Sequence, residues 1–189
     1  MTRLFRDLQG DVLFADGSVV CIGAFDGVHR GHRALLRHTA QRAQALGVPA
    51  VAVSFEPLPR EFFGRDNPPP RLSLARNKVE AFVAEGMAGV GLLGFDAAMA
   101  ATPAEVFVQQ LLAGRLRARE VWIGPEFSFG HKRAGNLALL QAMGAQLGFA
   151  AGQIDTVLVH GERVSSTRIR KLLLGGQFAA AADLLGRPY

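Results

Sequence analysis

Cysteine is almost absent from this 189-residue chain: Cys21 stands alone, inside an apolar run. With no second thiol there is neither a disulfide framework nor a cysteine-based zinc site, and a reducing compartment is the natural setting. The opening MTRLFRDLQG lacks the apolar core of a secretory signal, so none is expected. The most apolar region, Ala81 to Leu112, is broken by Glu85, Asp96 and Glu105. It holds no uncharged run of the ~18 residues a membrane span needs. On these absences a cytoplasmic protein is expected. Internal repeats and low-complexity segments are absent too, and nothing in the composition marks a linker, so residues 1–189 read as one domain. A net charge of +5 asks for an anionic partner. The arginines are scattered, however, and aromatics are seldom interleaved with them. No nucleic acid is expected, since a nucleotide accounts for the charge equally well.

What is present is an alternation of short apolar runs and amphipathic stretches. Val19–Ile22, Val48–Phe55, Val90–Leu93, Glu120–Gly124 and Ile154–Val159 read as strands. Helices are predicted over Gly31–Leu46, Leu74–Glu85, Pro103–Ala113, Leu137–Leu147, Ser166–Leu173 and Phe178–Leu185. Pro57, Pro59 and Pro68–Pro70 mark a long loop without regular structure. The fold class is therefore α/β, a parallel sheet with helices on both faces. In such sheets ligands bind beyond the carboxyl ends of the strands, and the chemically suggestive motifs all follow predicted strands.

The stretch CIGAFDGVHRGHRALL, residues 21–36, carries three glycines and two histidines where a strand hands over to a helix. A protein-bound metal would need a third and usually a fourth ligand beside His29 and His32. Only Asp26 is near in sequence, so no metal site is expected. A tight turn with histidines capping the helix is one alternative. A phosphate seat is the other: glycine permits close backbone approach, the helix start offers free N–H groups, and histidines donate or, if protonated, add charge. The turn alone leaves both open. ERVSSTRIRKLL, residues 162–173, places Ser165, Ser166 and Thr167 at another helix start, where they can cap it or hold phosphate, with Arg163 and Arg168 adding a charge-matched fork.

Together, His29-Arg30-Gly31-His32, of the form H-x-G-H, and VSSTRIR, close to I-S-S-T-x-I-R, resemble the two signatures of the HIGH-type nucleotidyltransferases. The resemblance narrows further. GAFDGVHRGHRALL, SFEPLPREFF, RLSLARNKVEAF, IGPEFSFGHKRAGNLALL and VSSTRIRKLLLGGQFAAAADLLGRPY are similar, in order, to the FMN adenylyltransferase module of bacterial FAD synthetases. The similarity runs from about Val20 to Tyr189.

That resemblance implies a Rossmann-like fold and transfer of AMP from ATP to FMN, giving FAD and pyrophosphate, with Mg²⁺ accompanying ATP. It implies catalytic roles for His29, His32 and Arg163. ATP would be bound by Gly23, Phe25, Asp26, Gly31, Ser166, Thr167 and Arg168. The flavin would be bound by Phe55, Pro57, Leu58, Pro59, Glu126, Phe127 and Phe129. The kinase module that follows L-G-R-P-Y in the family does not follow here, so no riboflavin kinase activity is expected. Three positions depart from the family pattern: Ala24 for asparagine, Leu58 for histidine, and Glu126 for aspartate or asparagine. They motivate two alternatives, a related transferase for another phosphorylated substrate and a non-catalytic flavin or nucleotide binder. Trp122 is expected in the core, His38 on an exposed helix face and His160 at the surface. His131 and Lys132, in the glycine loop, are candidate phosphate contacts.

Overall fold

Alternation along the central strands decides the layering. In β2 (Ser18–Ile22), Val20 and Ile22 face one apolar cluster while Val19 and Cys21 face another. In β3 (Ala50–Glu56), Val51, Val53 and Phe55 share the first side, and Ala50 and Ala52 the second. A strand buried on both faces needs cover on both, and the intervening helices supply it. The structure, a computed structural model, describes residues 2–64 and 66–189.

Six strands form a wholly parallel sheet in the order β1-β4-β3-β2-β5-β6, adding β1 (Arg3–Phe5), β4 (Gly89–Gly94), β5 (Ala118–Ile123) and β6 (Ala150–Gln153). On one face lie α1 (Arg30–Leu46) and α3 (Ala75–Ala84), whose Leu35, Leu36, Ala43 and Phe82 meet the small β3 side chains. On the other lie α5 (Ala104–Phe107), its π-helical continuation Val108–Arg115, and α6 (Leu137–Leu147). Two short helices, α2 (Pro59–Phe63) and α4 (Ala97–Ala101), ride on loops. The chain closes with the antiparallel pair β7 (Leu158–Val159) and β8 (Glu162–Arg163), then α7 (Ser166–Leu174) and α8 (Phe178–Leu185). Among the described residues no helix is long and apolar enough to cross a membrane.

The structure departs from the sequence reading at several elements. The proline-rich loop is not wholly irregular: Pro59 begins α2, where a missing N–H costs nothing. The strand expected over Ile154–Val159 is displaced, since β6 ends at Gln153 and Leu158–Val159 belong to the β7–β8 hairpin. The apolar run there contains a turn that hydrophobicity does not reveal. The helix expected over Pro103–Ala113 widens at Val108 into i→i+5 bonding, with Leu116 N–H donating to the Leu111 carbonyl at 2.8 Å. That wider turn lets Val108, Leu111, Leu112 and Leu116 all reach the core. Arg3–Phe5 went unrecognised as a strand because only Phe5 is buried. Trp122 is half-buried, packs beside the α1 cluster and donates its indole N–H to Glu120. His38 is not on a free face but stands edge-on to Trp122, ring centres 4.1 Å apart. His160 is exposed, in the β7–β8 turn with Gly161, both at positive φ.

Candidate active site

From β2 the chain winds through β3 and β4 to one side, then crosses to β5 and β6 on the other. The reversal leaves a crevice beyond the carboxyl ends of β2 and β5. Two clefts open there. One, of about 290 Å³, is lined by His29, Gly31, His32, Arg163, Ser165, Ser166 and Thr167, with Asp155 at its wall. The other, of about 540 Å³, is walled chiefly by phenylalanines.

The polar cleft is made by two helix starts. His29 is the N-cap of α1, and its Nδ1 accepts the His32 backbone N–H at 3.3 Å. That bond fixes the ring proton on Nε2, leaving Nε2–H as a donor. The His32 ring stacks on it at 3.6 Å between centres. A Cβ at Gly31 would lie 3.3 Å from the His29 ring, so glycine gives the stacked pair its room. Burial pushes His29 down to about 4 and His32 well below its ordinary value; Arg163 lowers the first further and His29 the second. Both rings are therefore neutral near pH 7, so of the two contributions open to them they offer hydrogen bonds and not charge. At α7, Ser165 accepts the Arg168 N–H as N-cap at 3.2 Å, and Ser166 donates its hydroxyl to the Asp26 carbonyl at 2.9 Å. Thr167 is exposed to the cleft.

Beneath this floor the turn from Gly23 to His29 is held from inside. Asp26 is 1% exposed; its carboxylate accepts the Leu72 and Ser73 N–H groups at 3.0 and 3.2 Å and pairs with Arg170 of α7. Phe25 is fully buried against His32 and Phe82. Gly23, Phe25 and Asp26 thus support the cleft instead of lining it. Arg168 also falls outside it, its guanidinium paired with Glu162.

The apolar cleft takes Phe55 from the end of β3, Pro59 and Phe63 from α2, Phe95 after β4, Phe107 from α5, and Glu126, Phe127 and Phe129 from the loop after β5. Phe95 meets Phe55, Phe62 and Phe63 edge-on, with ring centres 5.5 to 5.8 Å apart. The β5 loop is clasped by paired backbone bonds between Phe129 and Gly135 at 2.8 and 3.0 Å. Gly130 sits at φ 73°, where a Cβ would come within 2.6 Å of Ala104, so the loop lies flat on α5. Pro57 and Leu58 do not reach this cleft. Leu58 is 1% exposed and is the N-cap of α2, its side chain directed into the protein. Lys132 lines the apolar cleft; His131 is exposed and its Nδ1 lies 3.2 Å from the Ala100 carbonyl. Among the described residues no group of three or more metal-ligating side chains gathers.

Residues 13–168 match the FAD synthetase family. The chain belongs to that family. It is 43% identical over 92% of its length to a bifunctional riboflavin kinase/FMN adenylyltransferase from Pseudomonas fluorescens, covering 55% of that protein. It is 37% identical over 99% of its length to one from Haemophilus influenzae, covering 61%. The chain thus spans a little over half the length of these curated relatives. A crystal structure titled as a macrolide-efflux protein from Streptococcus pneumoniae superposes over the whole chain with a TM-score of 0.80 at 24% identity, and supports the fold.

Within this FAD synthetase fold the structure brings together His29, Gly31, His32, Arg163, Ser166 and Thr167 in one cleft, and Phe55, Pro59, Glu126, Phe127 and Phe129 in the other. Sequence reasoning missed Arg60, which lines both, and Phe63, Phe95 and Phe107, which complete the aromatic wall. The last two come from segments that read as ordinary core. The ion pair of Arg163 with Glu126 joins the rims of the two clefts.

Proposed function

We propose that this chain is an FMN adenylyltransferase. The observation that carries the reading is a polar cleft at two helix starts lying beside an aromatic-walled one, in a chain whose relatives bear that name. The polar cleft suits a triphosphate: unpaired N–H groups of α1 and α7 and their dipole ends favour anions. The apolar cleft suits a tricyclic ring that gains from edge-to-face and stacked contacts. We place the protein in the cytoplasm, with ATP and FMN, and no nucleic acid, as its partners.

A phosphate oxygen of FMN, already ionised at neutral pH, attacks the α-phosphorus of ATP. The bond from that phosphorus to the bridging oxygen breaks, and pyrophosphate leaves with the electron pair. No side-chain nucleophile or base is needed; the protein positions the two phosphates and stabilises developing charge. His29 Nε2–H donates from the α1 side and Arg163 from β8, while Thr167 and the α7 N–H groups hold the departing end. Magnesium bound to the ATP phosphates would supply further neutralisation of the charge that develops there. Asp155, the one carboxylate lining the polar cleft among the described residues, would be suited to hold such an ion.

Incubation with MgATP and FMN should release pyrophosphate and form FAD. Riboflavin, which offers no phosphate nucleophile, should yield no adenylated product. Absence of both pyrophosphate and FAD with FMN overturns the proposal, and turnover of a different phosphate ester redirects it.

A further inference from the structure

Among the described residues Arg60 is the one side chain common to the linings of both clefts. The other cations around the crevice are mostly committed. Arg163 is paired with Glu126, Arg168 with Glu162, Arg170 with Asp26, and Arg71 with Glu56 and Glu61. Lys78 is buried and donates to Ser54 and the Phe55 carbonyl. Arg60 makes no ion pair or side-chain hydrogen bond among the described residues, and it is half-buried. It lines the polar cleft together with His32 and the apolar cleft together with Phe55 and Phe63.

Its carrier is built to hold still. The buried Leu58 anchors the start of α2. The Leu58 N–H donates to Glu61 at 2.8 Å, and Glu61 is clamped by Arg71, which also reaches Glu56 at the end of β3 at 2.6 Å. A five-residue helix with such ties presents the guanidinium at a fixed point of the seam. In an adenylyl transfer spanning the two clefts, the group at the seam is the acceptor's phosphate. It is the link between an aromatic ring on one side and a nucleotide on the other. A planar guanidinium with free donors matches a phosphate monoester in both shape and charge.

We propose that Arg60 binds the phosphate of the acceptor flavin and so distinguishes phosphorylated from unphosphorylated flavin. This rests on the adenylyltransferase reading above. Wild-type protein and Arg60→Ala, Arg60→Gln and Arg60→Lys variants are titrated with FMN and with riboflavin by quenching of flavin fluorescence. FAD formation is then followed at varied FMN and at varied ATP. Wild type should prefer FMN. Arg60→Ala should lose on the order of tenfold or more in FMN affinity, with riboflavin affinity and the KM for ATP within about twofold. Arg60→Lys should recover part of the preference, as a charge without the fork.

Equal loss for FMN and riboflavin would show a merely structural role and overturn the proposal. So would a raised KM for ATP with FMN affinity intact. No change in the Arg60→Ala variant would do the same and move the phosphate to Lys132 and Arg133, and so would a wild type indifferent to the phosphate. A wild type that prefers FMN through Arg60 yet forms no FAD overturns the reaction and leaves this assignment standing.

Discussion

The two clefts are built on opposite plans. The polar one draws its helix-start residues from two short contiguous segments, 29–32 and 163–167, each a strand end or turn running into a helix. The apolar one gathers six of the thirteen phenylalanines from five separate places between Phe55 and Phe129. A helix start concentrates donors and dipole within a few residues, whereas an aromatic wall needs area, which no single segment supplies. The polar cleft should therefore fail at single residues, and the apolar one should erode gradually.

The largest expected effect lies beneath the polar cleft. Asp26→Ala leaves Arg170, whose side chain is 7% exposed, buried without its anion, and strips the Leu72 and Ser73 N–H groups of their acceptor. Breaking a buried pair costs about 3–5 kcal/mol, readable by urea denaturation. Because Asp26 links the β2 turn to α7, nucleotide affinity should fall well before flavin affinity. Parallel losses would show that the clefts share one foundation.

Next come the histidines. His32→Ala should lower turnover by about 10²–10³, as loss of one preorganised donor does, with the fold and flavin affinity retained. His29→Asn keeps an acceptor for the His32 N–H and so preserves the N-cap, yet removes the Nε2 donor; stability should hold while turnover falls. A mutant of either kind with near-wild-type turnover would remove that histidine from the mechanism. The same burial sets a pH dependence. The His29 value in the folded protein, about 4, lies below its unfolded 6.5, so between these limits the unfolded chain binds more protons. Stability should be complete above pH 6.5 and decline by up to about 3 kcal/mol toward pH 4. Thermal melts across that range should show the decline, and His29→Asn should make it shallower, leaving the share that His32 contributes in the same direction.

The aromatic wall should respond more mildly. Phe95→Ala removes the ring that touches Phe55, Phe62 and Phe63. At about 1 kcal/mol the KM for FMN should rise roughly fivefold, with the KM for ATP unchanged.

The same contrast in construction explains what was legible in the sequence. The parallel sheet followed from apolar runs alternating with 3.6-period stretches, and the helices expected to end at Leu46 and Leu147 do end there, each followed by a glycine, Gly47 and Gly148, at left-handed φ. The polar cleft was legible because H-x-G-H and S-S-T are local patterns. Its directions were not. Sequence gives a histidine no burial, so its neutrality was hidden, and it gives Arg168 no partner, so its pairing with Glu162 was hidden too. Phe95 and Phe107 look like core in any window, and only the topology brings them to one cavity. Leu58 shows the converse: a loop position that reads as a ligand contact is an apolar anchor, and its neighbour but one, Arg60, occupies the seam.

The smallest predicted effect bears on the boundary between the clefts. Glu126 lines the apolar cleft, Arg163 the polar one, and they pair across the rim with side chains 75% and 44% exposed. A pair so open contributes less than about 1 kcal/mol to stability, so Glu126→Gln should leave the thermal midpoint almost unmoved. Its consequence should appear in binding. Arg163 cannot give its full charge to a phosphate while a carboxylate claims it, and the neutral amide withdraws that competition. The KM for ATP should fall by a few-fold at low salt, and the gain should shrink as ionic strength rises past the range where exposed charges interact. A rise in that KM would mean that Glu126 presents Arg163 to the nucleotide instead of competing for it, and the two clefts would then be coupled through their rim as well as through Arg60.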